Sequence, residues 1–191
     1  MAHIRELCDL SGRVAIVTGG WRGLGQEMAE GLAEAGAALM LCARREQWLA
    51  PTVNEMRGQS FQVEGMLCGV SSEYGRMINV LSVSVLQSSV AGPHYVGYAA
   101  SKAGLFGLTR ELAASWSRQG IRVSAVAPGF FHSRLADAAI EYAEPDIKAR
   151  NPIPRVGAAG ELKGVAVFLA SDASNYITGQ TIVVDGGSTI A

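Results

Sequence analysis

The stretch Thr18-Gly19-Gly20-Trp21-Arg22-Gly23-Leu24-Gly25 constrains this chain most. Ahead of it runs Arg13-Val14-Ala15-Ile16-Val17, a β-branched apolar run that predicts a buried strand. Behind it, from Gln26 to Ala35, Met28, Ala29, Leu32 and Ala33 recur at helical spacing. A strand, a glycine turn and a helix aim backbone N–H groups and a helix N-terminus at one spot, which then favours a phosphate. Gly19 permits the sharp turn. Gly23 and Gly25 leave room where a pyrophosphate and the strand come close. The competing reading is a glycine loop with a structural role alone.

The alternation continues downstream. Residues 37–43 form a second apolar run, and residues 46–56 a second helix with Trp48, Leu49, Val53 and Met56 on its apolar side. That helix requires Pro51 to fall in its first turn. Residues 60–70 give a third strand. The first seventy residues therefore read β-α-β-α-β, half of a doubly wound nucleotide-binding fold. Then the pattern breaks. Ser71-Ser72-Glu73-Tyr74-Gly75 leads straight into the strand Arg76-Met77-Ile78-Asn79-Val80-Leu81. A parallel crossover needs about a dozen residues or more, so either a segment is missing here or these strands are not neighbours. Beyond it come a long helix over residues 98–118, a strand over 121–127 ended by Pro128-Gly129, and a polar stretch over 130–155 read as a lid. A helix over 161–170 and a last strand within 178–185 complete the chain.

Net charge is −1, so bulk attraction to nucleic acid or an anionic membrane is not expected. No apolar run reaches the roughly 18 residues of a membrane span, and Met1 to Leu10 lacks a signal-peptide core. Cys8, Cys42 and Cys68 lack metal-ligand spacing and read as reduced thiols. The expectation is a soluble cytoplasmic protein without a metal site. His94 and His132 read as loop histidines, with lining of a substrate pocket as the alternative.

Three constellations carry chemistry. Tyr98 and Lys102 stand four apart at the start of the long helix and share a face. A tyrosine hydroxyl titrates near 10, and a neighbouring ammonium lowers that value, which suits proton exchange with a carbonyl or alcohol. A solvated Tyr–Lys pair has the same spacing. Ser82 follows Met77-Ile78-Asn79-Val80-Leu81 at the carboxyl end of a strand, where open α/β sheets bind ligands; Ser84 competes with it. Arg44 ends the second strand where a carboxylate would hold the ribose hydroxyls of NAD, and Arg22 lies inside the glycine turn. Both suit a 2′-phosphate, so NADP(H) is favoured over NAD(H), with solvated surface charges as the other reading.

With these residues in order, the chain resembles the short-chain dehydrogenase/reductases. The turn from Thr18 to Gly25 looks like that family's cofactor motif. Tyr98-Ala99-Ala100-Ser101-Lys102 looks like its Tyr-x-x-x-Lys, and Pro128-Gly129 with Ser133 like its Pro-Gly segment. Residues 172–187, ending Val184-Asp185-Gly186-Gly187, look like its C-terminal signature. The nearest branch in appearance holds the 3-oxoacyl carrier-protein reductases and gluconate 5-dehydrogenase. The resemblance implies a catalytic set of Ser82, Tyr98 and Lys102. It implies cofactor contacts from Thr18, Gly19, Trp21, Arg22, Gly23, Leu24, Gly25, Arg44, Tyr98, Lys102, Pro128, Gly129, Phe131 and Ser133.

Departures accompany it. The family's Asn-Asn-Ala-Gly segment, its strand and the next helix are absent between Val70 and Gly75, and Ser124 stands where Asn is common. The expected architecture is α/β: a Rossmann-type doubly wound parallel sheet flanked by helices, lacking one central strand and its helix. Residues 1–191 are expected to form a single dinucleotide-binding domain. The expected function is hydride transfer between NADP(H), or NAD(H), and a carbonyl or secondary alcohol. The alternative is a nucleotide-binding form crippled by the deletion. A homo-oligomer, dimer or tetramer, is expected. With the strand gone, either the sheet closes, with Met77 to Leu81 pairing on Val14 to Val17, or the sequence given omits residues that the molecule holds.

Overall fold

The structure, a computed structural model, describes residues 4–42, 46–66, 75–88, 95–133 and 136–191. Its elements run α1 (Ile4–Leu7), β1 (Val14–Thr18), α2 (Gly23–Glu34), β2 (Ala38–Cys42), α3 (Glu46–Gly58), β3 (Val63–Met66) and β4 (Gly75–Val80). Then come α4 (Val96–Trp116), β5 (Ile121–Pro128), α5 (Asp137–Arg150), α6 (Lys163–Ala170) and β6 (Thr181–Val184). The chain divides into two compact units, Met1–Ser72 with Gly160–Asn175, and Glu73–Ala159 with Tyr176–Ala191.

The first unit holds a parallel sheet in the order β1-β2-β3, with Val14 opposite Ala38 and Leu39 opposite Val63. Leu39, Leu41 and Val63 meet Leu32, Val53 and Met56 in one core. Ala15 and Val17 pack on that core. Side chains alternate along a strand, so Val14 and Ile16 lie on the opposite face. There they are 65% and 42% exposed. Helix α6 is fastened to α2. Glu27 Oε1 accepts the N–H groups of Gly160 and Leu162, at 2.9 and 3.1 Å, at the entry to α6. Gly31 passes Lys163 so closely that a Cβ would sit 2.8 Å from Lys163 Cβ. The Lys163 amine lies 2.6 Å from Glu34, and that hydrogen bond raises its pKa.

The second unit holds a parallel sheet in the order β4-β5-β6, with Ile78 opposite Ser124 and Val126 opposite Ile182. Strand β5 is central and buried from Val123 to Pro128. Helix α4 turns Thr109 and Ala113 inward. Asn79 Nδ2 donates to Thr109 Oγ1 at 2.9 Å, which ties α4 to β4. Gly120, at φ 84°, ends the helical run in a left-handed conformation. Gly157 N–H donates to the Phe130 carbonyl, and Phe131 bridges Gly157, so residues 131–157 leave and return through one neck.

The parallel sheets and flanking helices are those the sequence predicts. Several details differ. Pro51 sits in the second turn of α3, where its missing N–H removes one helical bond. The stretch read as a polar lid is mostly helix α5, formed although Pro145 lies inside it. Helix α4 packs through Thr109 and Ala113, and Leu108 on it is 48% exposed. The strand predicted as buried, β1, is covered on one face only. Among the described residues β1 pairs with β2 in one three-stranded sheet, and β4 pairs with β5 in another. Cys42 is buried. Cys68, His94 and residues 70–74 of the apparent deletion lie outside the described residues.

Candidate active site

The glycine turn lies in the first unit. Gly19, at φ 74°, donates its N–H to the Cys42 carbonyl at 3.0 Å, which bends the chain off the end of β1 where Thr18 stands. Gly23 opens α2 at φ 53° and is followed by Leu24. A Cβ on Gly25 would lie 2.5 Å from the Gly19 carbonyl oxygen, so the first turn of α2 rests directly on the backbone of the bend. Arg22 precedes the helix in an extended conformation and gives it no side-chain cap. A helix start of this kind presents N–H groups to an anion. Thr52 Oγ1 donates to the Trp21 carbonyl at 2.9 Å and pins the turn to α3. The Arg22 guanidinium lies 4.2 Å from the centre of the Trp21 ring. Arg44 lies outside the described residues.

The second unit gathers the remaining residues. Lys102 Nζ donates to the Val80 carbonyl at 2.7 Å, at the carboxyl end of β4 and two residues before Ser82. Lys102 is half-buried, and that burial lowers its pKa. Its amine is 5.6 Å from the centre of the Tyr98 ring, one helical turn earlier. Tyr98 is 40% exposed. Ser82 Oγ accepts the Ser84 N–H at 3.2 Å and caps the short turn Val83–Val85. Ser84 Oγ is buried without a partner among the described residues.

Pro128 ends β5, and Gly129 donates its N–H to the Val184 carbonyl at 2.9 Å. A Cβ on Gly129 would sit 2.8 Å from Asp185 Cβ. Asp185 in turn accepts the N–H groups of Gly187 and Thr189 and the Ser188 hydroxyl. Burial pushes the Asp185 pKa up, but those donors outweigh it and the net direction is down. The Phe131 ring lies against Gly157, and Ser133 Oγ accepts the Ala136 N–H at the start of α5. His132 is solvent-exposed beside Asp137.

Two contacts had no signal in the sequence: Lys102 on the Val80 carbonyl and Thr52 on the Trp21 carbonyl. The Val184-Asp185-Gly186-Gly187 stretch was visible as a motif, but its support of Gly129 was not. Among the described residues no group of three His, Cys, Asp or Glu side chains is placed to hold a metal. No described helix is long and apolar enough to cross a membrane.

Two family models match the chain. One, described as short chain dehydrogenase, matches residues 13–74; the other, described as enoyl-(acyl carrier protein) reductase, matches residues 69–189. The chain belongs to the short-chain dehydrogenase/reductases. Among its relatives, the tropinone reductase homolog At2g29170 of Arabidopsis thaliana is 31% identical, covering 98% of this chain and 94% of that protein. The 3-oxoacyl-[acyl-carrier-protein] reductase FabG of Thermotoga maritima is 37% identical over 80% of this chain and 61% of its own length. Among solved structures, a gluconate 5-dehydrogenase from Burkholderia cenocepacia in complex with NADP and tartrate superposes with a TM-score of 0.88. It is 29% identical and covers 99% of this chain and 100% of its own. The Pseudomonas aeruginosa RhlG/NADP active-site complex gives 0.82, at 28% identity over 97% and 99% of the two chains. The match to the tropinone reductase homolog runs over 254 positions against 191 residues in this whole chain. More than sixty of its positions therefore face no residue here.

Proposed function

We propose that this short-chain dehydrogenase/reductase moves a hydride between NADP(H) and a carbonyl or secondary alcohol, with Tyr98 as the proton donor or acceptor. The observation that carries the reading is the Lys102 amine, half-buried against the Val80 carbonyl and 5.6 Å from the Tyr98 ring. Tyr98 and Lys102 share one face of α4, and Ser82 stands two residues along from the carbonyl that holds the Lys102 ammonium. The Tyr98 hydroxyl gives its proton to the substrate oxygen in reduction and takes it back in oxidation. The Ser82 hydroxyl orients that oxygen, and Lys102 holds the nicotinamide ribose.

The turn fits a dinucleotide. Gly25 lies where a side chain would strike the Gly19 carbonyl, and the start of α2 has no side-chain cap. Gly19, Gly23, Leu24 and Gly25 would cradle the pyrophosphate, with Thr18 and Trp21 beside it. Arg22, with Arg44, would take the 2′-phosphate, and the segment Pro128, Gly129, Phe131 and Ser133 would face the nicotinamide. NADP(H), when bound, supplies or accepts the hydride. The NADP in the two similar structures supports this choice over NAD. In this reading both units are parts of one dinucleotide-binding domain, and the protein is a cytoplasmic homo-oligomer, dimer or tetramer.

The second reading is a chain that binds the nucleotide without catalysis. It is favoured by the positions that face no residue here, since the Asn-Asn-Ala-Gly segment that the resemblance leads one to expect, with its strand and the next helix, is absent. One experiment separates the two. Tyr98→Phe lowers carbonyl reduction by about 10²–10⁴-fold, the ordinary worth of general acid–base help, and leaves NADPH fluorescence titration unchanged. Equal turnover in the variant overturns the role of Tyr98. NADPH binding without turnover in the unaltered chain establishes the second reading.

A further inference from the structure

Helix α4 lies on a smooth part of the second unit's sheet. Leu81, Ala125 and Ala127 are buried there, and Leu105 and Phe106 of α4 pack on them. Side chains alternate along a strand, so Asn79 shares the face of Leu81, and Ala125 stands opposite it on β5. The residues that α4 itself buries, Thr109 and Ala113, are small. Helices take a defined seat when projecting side chains of one surface enter grooves of the other, and a floor of alanines offers few ridges. Apolar contact is non-directional, so here it presses α4 onto the sheet and sets its position along its own axis only weakly.

A directional bond crosses that floor. Asn79 Nδ2 donates to Thr109 Oγ1 at 2.9 Å, and Thr109 Oγ1 donates to the Leu105 carbonyl at 2.8 Å. A hydroxyl has one proton, and with that proton committed to Leu105 it meets Asn79 as an acceptor, so the orientation of each group is fixed. Thr109 is fully buried. Asn79 directly precedes Val80, whose carbonyl takes the Lys102 amine at 2.7 Å. Lys102 and Thr109 lie about two helical turns apart on one face of α4. A slip of α4 by one residue moves it about 1.5 Å, enough to carry the Lys102 contact past hydrogen-bonding distance and to take Tyr98 with it.

We infer that Asn79 and Thr109 are positioning residues: their hydrogen bond fixes the register of α4 on β4, and so sets Lys102 at the Val80 carbonyl and beside Tyr98. Buried polar groups fill this role in other helices, where one polar contact selects a register that apolar packing leaves open. The inference rests on the catalytic reading of Tyr98 and Lys102. The seat of the Lys102 amine is measured without turnover, which keeps the two separable.

The test removes the bond in two ways. Thr109→Val keeps a branched side chain and takes away the acceptor. Asn79→Leu combined with Thr109→Val takes away both partners, which strands no buried polar group and leaves stability in urea close to that of the unaltered chain. Lys102 is followed in the full chain without cofactor, as the pH midpoint of its acylation read by peptide mass spectrometry. Burial holds the amine below its ordinary titration range, so release to solvent moves that midpoint up. The expected result is an upward midpoint in both variants, with Thr109→Ser, which keeps the acceptor, restoring it. With NADPH and a carbonyl substrate, kcat falls about 10–100-fold in both, more than the KM for NADPH rises, and Thr109→Ser restores kcat. A bond with a structural role alone gives a different pattern: lower stability in Thr109→Val, none lost in the double variant, and the Lys102 midpoint unmoved in both. That pattern overturns the inference, as does a Thr109→Ser that behaves like Thr109→Val. NADPH binding without turnover in the unaltered chain removes the catalytic reading and leaves the midpoints to decide the register.

Discussion

Placing a methyl group on Gly25 tests the cradle directly. The added Cβ would lie 2.5 Å from the Gly19 oxygen, 3.0 Å from the Gly19 carbonyl carbon and 3.4 Å from the Gly20 nitrogen. Unstrained contacts between such atoms begin near about 3.5 Å, so the start of α2 must retreat by close to 1 Å or the bend must flatten. Both obstacles are backbone, so no side chain can swing aside. Overpacking of this kind costs about 1–3 kcal/mol, offset by about 0.5–1 kcal/mol from replacing a helical glycine with alanine. Gly25→Ala should therefore be less stable by up to about 2.5 kcal/mol in urea unfolding. Gly107→Ala is the control. It lies within α4 with no heavy atom within 4 Å of its Cβ position, so it should gain about 0.5–1 kcal/mol. The same retreat pulls the N–H groups away from a pyrophosphate. NADPH affinity, read by fluorescence titration, should fall by about 10–100-fold, equivalent to about 1.4–2.8 kcal/mol. If Gly25→Ala unfolds with Gly107→Ala and binds NADPH as tightly as the unaltered chain, the cradle is misassigned.

Three further predictions follow from the two units. Arg22→Ala should weaken NADPH about tenfold or more and NADH by much less, because only the former offers a 2′-phosphate to the guanidinium; equal losses would remove Arg22 from cofactor choice. Burial holds the Lys102 pKa below its ordinary 10.5, so the unfolded chain binds that proton more tightly than the folded one. The stability lost to charging Lys102 is lost in full below the lowered pKa and recovered as pH rises toward 10.5. Measured against Lys102→Met, the unaltered chain should gain stability as pH rises toward 10.5, and a flat difference up to pH 10.5 would contradict this. Ser124 is buried in β5 and its hydroxyl has no partner among the described residues, so Ser124→Ala should be neutral or stabilising by about 1 kcal/mol in thermal unfolding. A loss of that size would show that the hydroxyl has a partner.

The elements that sequence alone determines here are those governed by neighbours along the chain. The β-branched run before Gly19, the helical spacing of Met28, Ala29, Leu32 and Ala33, and the glycine that ends the α4 region each follow from backbone sterics and a short apolar period. The break after residue 70 was legible for the same reason: a parallel crossover has a minimum length, and this link falls short of it. The pairing of Tyr98 with Lys102 needed only the rise of a helix.

What tertiary structure decided depends on residues far apart in the chain. Whether β1 is buried cannot be read from Val14 to Thr18, because a strand's second face is covered by whatever else folds onto it. Here Val14 and Ile16 on that face are exposed. Lys102 reaches the Val80 carbonyl and Asp185 supports Gly129 only because β4, β5 and β6 lie side by side with α4 across them. Local sequence sets which way each backbone segment turns. Burial, hydrogen-bond partners and the direction in which Lys102 titrates are set by what packs beside it, and that is a property of the fold.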